Sequence, residues 1–408
     1  MTSAQVADPP VETLLSPAAI RARSNNILAA ALAGRTRHFR VDRSRLDGAA
    51  ATVERVTRRR YPSLAIPYHS RWRHFEAGGV DRKAQLTGAL AGRDVAAAAR
   101  ARIDLAVVSV LLDAGSGPDW AYVETETGQR FTRSEGLGVA SFRAFCAGAF
   151  SCERADPLRV DAAALAQVDA ASLARWLQVR DDNPLVGLEG RAALLRRLGE
   201  ALAAQRGTFG QAARPGGLFD TLGARGGGTV GAATLLRALL DGMGGIWLAG
   251  NRVDGVALGD AWRHPCAGGV GPSAGWVPFH KLSQWLAYSL FEPFEWAGVR
   301  VVDQDALTGL PEYRNGGLLL DSAVLALVDP AAVRAVHDIG SELVVEWRAL
   351  TVGLLDEVAT RVRGRLGRPD LPLACVLEGG TWAAGRELAQ DLRRGDPPLA
   401  IRSDGTVF

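Results

Sequence analysis

Lysine is nearly missing from this chain. Of its 47 lysines and arginines only two, Lys83 and Lys281, are lysines. Cysteine is also sparse: Cys146, Cys152, Cys266 and Cys375 form no CxxC pair. That spacing argues against a zinc site or a disulfide framework and fits a reduced, cytoplasmic protein. No apolar run is long enough to span a membrane, and the N-terminus has no basic-then-apolar leader pattern. Strong charge of one sign is absent too. The net charge is +3, and the densest basic cluster is the short Arg58-Arg59-Arg60. A polyanion-binding surface needs more than that, so no nucleic-acid partner is expected.

What remains is an ordinary soluble composition, 48% hydrophobic and 22% charged, in a chain long enough for more than one core. The arginine preference reads as coding bias more than design. Even so, Lys281 opens an aromatic-rich segment, WVPFHKLSQWLAYSLFEPFEW (276–296), where a lysine invites a chemical role. Unlike arginine, lysine is a compact charge whose pKa shifts readily and which can act as a nucleophile.

The pattern is mainly α, with a few short strands and one hairpin. Residues 1–15 read as a loose arm. Ser16-Pro17 is a cap followed by a first-turn proline, predicting a helix to about Leu32. Further helices are predicted at 46–59, 94–113, 134–149, 161–180, 187–205 and 229–241. In the 94–113 segment, Ile103, Val107, Val110 and Leu111 form an apolar stripe. WAYVETETGQRFTRS (120–134) reads as a β-hairpin turning at Thr127-Gly128. The glycine- and proline-rich 206–228 reads as a linker or lid. Another helix runs from 278 to Pro293, and a strand follows at 299–303. The longest helix covers 341–365, and one more lies near 373–393. The domain reading is an arm at 1–15, a helical part with the hairpin at 16–228 and a second helical part at 229–408. The two parts alternatively share one continuous core.

Four patches carry polar groups in settings suited to a ligand. LTGLPEYRNGGLLLD (307–321) sets Glu312, Arg314 and Asn315 between a proline and paired glycines, with Asp321 beyond. Such a turn lets a ligand approach the backbone. The competing reading is a surface turn in which Arg314 pairs with Glu312. VVDQDALTG (301–309) loosely imitates a phosphoribosyltransferase loop, with Gln304 in the second acidic position. IPYHSRWRHFE (66–76) crowds His69, Arg71, Arg73 and His74 around Trp72, suited to a planar or phosphorylated small molecule. Its alternative is an amphipathic anchor, and its histidine spacing gives no helical metal pair. CVLEGGTWAAGREL (375–388) places Glu378 and Trp382 around a glycine pair, which costs on the order of 1 kcal/mol per glycine in a helix. Either a ligand or a tight helix contact accounts for it. GARGGGTVG (223–231) lacks the Lys-Ser/Thr of a P-loop.

IPYHSRWRHFE, RSEGLGVASFRAF (133–145), LTGLPEYRNGGLLLD, LEGGTWAAGRE and the terminal SDGTVF together resemble the fungal and bacterial uracil-catabolism protein four family across nearly the whole chain. That family belongs to a route that degrades uracil through its nucleotide, with ribosylurea-type intermediates and release of urea. PFHKLSQ (278–284) followed by LPEYRNGG is also similar to the lysine and acid-Tyr-Arg motifs of the queuosine-nucleotide N-glycosidases, whose fold resembles helix-hairpin-helix DNA glycosylases. The resemblance puts Glu312, where that family has Asp, at the catalytic carboxylate and Lys281 at the lysine position. It implies a cofactor-free and metal-free ribosyl N-glycosidase acting on ribosylurea or its phosphate. His69, Arg71, Arg73, His74, Arg314, Asn315, Asp321, Glu378 and Trp382 would bind the nucleoside- or nucleotide-like substrate. Two alternatives stay open: a phosphoribosyltransferase, and a non-catalytic ligand-binding protein of the pathway. No membrane partner is expected; a homo-oligomer is compatible.

Overall fold

The structure, a computed structural model, describes residues 10–223 and 227–402. The terminal SDGTVF motif, most of the N-terminal arm and part of GARGGGTVG lie outside the described residues. The fold is mainly helical, with short strands in two-stranded pairs. Among the described residues no helix is long and apolar enough to cross a membrane. The chain divides into two compact units that interleave along the sequence. Unit one takes the stretch ending at Pro67, Gly250–Lys281 and Asp305–Arg402. Unit two takes Tyr68–Ala249 and Leu282–Gln304.

Unit one is built on the 25-residue helix Glu342–Leu366, ended by Gly367 in the left-handed region. Helices Pro17–Leu32 and Leu46–Arg60 pack on it. Ser16 caps the first of these by accepting from Ala19 N at 3.2 Å, as the Ser-Pro pair predicts. Helix Tyr313–Asp321 packs against Trp382–Arg393, and Gly385 makes the contact possible. A Cβ at Gly385 would stand 2.0 Å from the Arg314 carbonyl. The loose arm is corrected for its described end: Val11, Leu14 and Leu15 are buried, and Leu14 O meets His280 Nε2 at 3.1 Å. Strand Phe39–Val41 pairs antiparallel with Leu325–Leu327, so the apolar LLLDSAVLAL run divides into a helix end and a strand.

Unit two contains helices Val95–Leu111, Arg133–Cys146, Leu188–Ala204 and Ala232–Met243, all close to their predicted places. The hairpin forms as read, with Tyr122 opposite Phe131. The predicted 161–180 helix is instead two short ones, Ala162–Ala166 and Ala170–Trp176. Asp161 and Asp169 each accept from a backbone N–H three residues on, and so start a new helix. Nor does the helix opening at Lys281 stop at Pro293; it runs to Trp296. Proline lacks an N–H, so the Ser289 carbonyl loses its partner within the helix. Trp72 Nε1 donates to that carbonyl at 2.8 Å, which lets the helix continue. The expected lid at 206–228 is pinned where it is described: Arg214 Nε and Gly216 N donate to buried Asp104 at 2.9 and 2.6 Å.

Candidate active site

In unit one, Glu312 is the N-cap of helix Tyr313–Asp321. Its Oε2 accepts from Arg314 N at 2.7 Å and its Oε1 from Asn315 N at 2.6 Å. The first turn of a helix has N–H groups without intrahelical partners, and its dipole favours an anion there. The sequence Leu-Pro-Glu-Tyr-Arg therefore fixes a carboxylate that is only 9% exposed. Asn315 is fully buried: its Nδ2 donates to Leu310 O at 3.0 Å, and its Oδ1 accepts from Thr381 at 2.9 Å. Arg314 lies over the Tyr313 ring and donates to Gly395 O at 3.2 Å. Its buried Nε has no hydrogen-bond partner among the described residues.

The Lys281 and Glu312 segments are tied together by a pair the sequence reading missed. Arg348, buried in helix Glu342–Leu366, donates through Nε to Pro311 O at 3.2 Å. Its Nη1 and Nη2 reach the two oxygens of Asp260, each at 2.7 Å. Asp260 Oδ2 also accepts from Lys281 N at 3.0 Å, and Oδ1 from Trp262 Nε1 at 2.8 Å. Burial acts to raise the Asp260 carboxyl, but the charge and hydrogen bonds of Arg348 outweigh it and hold the group below its ordinary value. His280, next to Lys281, has φ 46, a left-handed conformation costly for a non-glycine residue. The available sequence signal was Arg348 itself, a charge inside the apolar run LVVEWRALTV.

The other unit-one candidates form ion pairs. Asp321 binds Arg393 through both oxygens at 2.8 and 2.6 Å. Glu378 lies in a π-turn, Leu377–Thr381, and accepts from Arg60 at 2.8 Å and Tyr61 OH at 2.9 Å. The Arg386 guanidinium lies 5.4 Å from the Trp382 ring. The Gly379-Gly380 pair serves a helix contact: a Cβ on Gly380 would stand 2.5 Å from Thr57 Oγ1. Arg58-Arg59-Arg60 form the exposed last turn of helix Leu46–Arg60, where Arg58 pairs with Glu54, Arg59 with Glu387 and Arg60 with Glu378. Potential metal-ligand atoms of His38, Glu342 and Glu346 lie within 4.8 Å of one another. Glu346 is already engaged there, by Phe39 N at 2.9 Å and by His264 Nε2 at 3.6 Å.

The IPYHSRWRHFE candidates Arg71, Arg73, His69 and His74 belong to unit two. Arg71 is fully buried, with Nε donating to Ser109 Oγ at 2.6 Å and Nη1 placed 3.1 Å from Asp113 Oδ2. Its guanidinium lies 5.6 Å from the Trp285 ring, and the His74 ring meets the same indole edge-on at 5.7 Å. Arg73 pairs with Glu292 at 2.6 Å and with Glu76, which also pairs with Lys83. His69 is buried on the same segment.

Among the described residues the phosphoribosyltransferase alternative finds no scaffold: strand Arg300–Val302 pairs there only with Thr229–Gly231, whereas that fold needs a wider parallel sheet. Asp305 is used by Arg363 at 2.5 Å and Leu373 N at 2.8 Å, and the Thr308 hydroxyl is buried against Gly309 O.

The chain is 40% identical to "Uracil catabolism protein 4" of Lachancea kluyveri, over 92% of this chain and 93% of the relative. It is 39% identical to "Protein urg3" of Schizosaccharomyces pombe, over 98% and 99%. The sequence model of one family matches residues 13–408, and the chain belongs to that family, described as "Protein of unknown function (DUF1688)".

Proposed function

We propose that this protein acts in uracil catabolism as a ribosyl N-glycosidase on ribosylurea or its phosphate. The pathway part of the reading rests on the name of the Lachancea kluyveri relative. The chemical part rests on one observation: a buried, backbone-held carboxylate, Glu312, is linked through Pro311, Arg348 and Asp260 to the segment bearing Lys281. The resemblance to nucleotide N-glycosidases adds to it.

In this mechanism the C1′–N bond breaks and its electron pair leaves with the urea nitrogen, which takes up a proton. Positive charge builds on the ribose ring, and the Glu312 carboxylate stabilises it and orients the attacking water. Water adds to C1′, giving ribose or ribose 5-phosphate and urea. The Lys281 ammonium holds the phosphate or balances the carboxylate. The cap geometry suits this role, because a carboxylate held by two N–H groups needs little reorganisation as charge develops.

The test is an assay of purified protein for urea release from ribosylurea and its 5′-phosphate. Glu312→Gln keeps one of the two cap acceptors while removing the charge, and lowers turnover by about 10²–10³-fold in protein whose circular dichroism is native. Full activity in that variant, or no release of urea from either substrate by the native protein, overturns the proposal.

A further inference from the structure

Unit two holds a group of buried polar atoms that nothing in the proposed reaction uses. Arg71 is fully buried and Trp285 is 6% exposed. Arg71 Nη2, Trp285 Nε1, His74 Nδ1 and Asp113 Oδ1 are all buried and have no hydrogen-bond partner among the described residues. They are neighbours, because Arg71 touches Asp113 and lies beside the indole that His74 also meets. Orphaned buried polar atoms are rare in folded proteins, and four in one cluster call for a reason. A fifth feature agrees with them. A Cβ at Gly138, in the helix Arg133–Cys146, would stand 2.8 Å from His74 Cβ and 3.5 Å from the Arg71 guanidinium carbon. Gly138 thus brings that helix, with Glu135, up to the cluster, which gives the RSEGLGVASFRAF motif a purpose.

We infer that this cluster is a binding site for a neutral, planar amide-type group, one that carries a carbonyl beside an N–H. The inference stands on unit two alone and does not depend on the glycosidase reading. Arg71 Nη2 and Trp285 Nε1 supply two donors for the carbonyl. Asp113 Oδ1 supplies an acceptor for the N–H, and His74 Nδ1 serves either role. A flat group bound there would lie beside the Arg71 guanidinium and the Trp285 indole, which are 5.6 Å apart.

Charge selects against an anion. The Arg71 cation is matched by Asp113, and Glu135 adds a second negative charge nearby. Burial, with the Arg71 charge next, pushes the His74 imidazole down to about 4, so it is neutral near pH 7. A phosphate would therefore meet no net positive charge, and of the planar or phosphorylated molecules expected for IPYHSRWRHFE the inference takes the planar one.

The experiment follows the indole N–H resonances of the full-length protein by NMR. Trp285→Phe identifies the Trp285 signal among the ten tryptophans. Uracil, ethylurea and inorganic phosphate are titrated separately, and calorimetry gives the affinities. The expected result is a saturable shift of the Trp285 signal with uracil or ethylurea and none with phosphate. Trp285→Phe should weaken amide binding about tenfold, the value of one lost buried hydrogen bond. Asp113→Asn should weaken it as well, in protein whose circular dichroism is native. The inference is overturned if neither amide binds saturably, if phosphate binds as well as they do, or if folded Trp285→Phe binds with native affinity.

Discussion

Asp260→Asn tests the link between the two motif segments most directly. The native pair is bidentate, 2.7 Å at each oxygen, and both side chains are nearly fully buried. The substitution keeps the shape and leaves Asn able to accept from Trp262 or Lys281. It strands the Arg348 cation without its counter-charge. Breaking one side of a buried pair costs about 3–5 kcal/mol. Unit one has about 200 residues, so at about 2.1 cal/mol/K per residue its unfolding entropy is roughly 0.4 kcal/mol/K. The melting temperature of its transition should fall by roughly 10 °C. Adding Arg348→Met should restore most of that loss, since removing both charges is near neutral. The pH dependence follows from the depressed Asp260 carboxyl. Its contribution is complete above the unfolded value of about 3.9 and is lost as pH falls through the lower folded value. Asp260→Asn should therefore be less acid-sensitive than the native protein below about pH 4. Calorimetry and urea melts read both effects. A loss under about 1 kcal/mol, or no recovery in the double variant, would refute the reasoning, since a buried pair is expected to show more.

Three further outcomes follow from the packing. Trp72→Phe leaves the Ser289 carbonyl without its donor and should cost about 1–3 kcal/mol, and Pro293→Ala in the same chain should recover part of it by supplying the missing backbone N–H; equilibrium denaturation of the single and double variants decides. Gly380→Ala forces a methyl to within 2.6 Å of Val53 O, and thermal melts should show a loss of about 1–3 kcal/mol. His74 should stay neutral until the pH approaches about 4, as NMR titration of its ring would report. The unfolded chain takes up that proton near pH 6.5, so the native state loses stability as pH falls from there towards about 4.

Helix positions were legible where a cap and apolar residues coincided, as at Ser16 and Asp94. The break within 161–180 was missed although its cap, Asp169, is local, and the end at Pro293 was misread because the deciding group is remote. Pro293 reads as a stop because its missing N–H is local, but the rescue comes from Trp72, more than 200 residues away in sequence. Glu312 was legible as a residue of interest, and its cap role follows from Pro-Glu-Tyr-Arg. The Asp260–Arg348 pair was not legible, because nothing local in GDAWRHP or EWRAL says that the two meet. Glu378 and Asp321 were legible as candidate acids, and each is there with its own arginine.

That last pattern changes the meaning of the lysine scarcity. Arg71, Arg82, Arg191 and Arg348 are among the largest fully buried side chains, so coding bias alone does not account for them. Each uses the planar fork. Arg82 grips Glu124 at 2.7 and 2.5 Å and also donates to Ala77 O at 2.8 Å and Phe75 O at 3.2 Å. Arg191 donates to the carbonyls of Leu112 at 3.0 Å and Ala114 at 2.7 Å. A lysine ammonium has three donors at one point and cannot reach acceptors spread around a guanidinium. Arg82→Lys should thus leave at least one buried acceptor unmet and cost about 2–4 kcal/mol, whereas Arg45→Lys, exposed and 3.7 Å from Asp42, should change stability by less than about 0.5 kcal/mol. Equal, small effects in urea melts of the two variants would return the arginine excess to coding bias. A large difference would make it a requirement of the buried fork geometry.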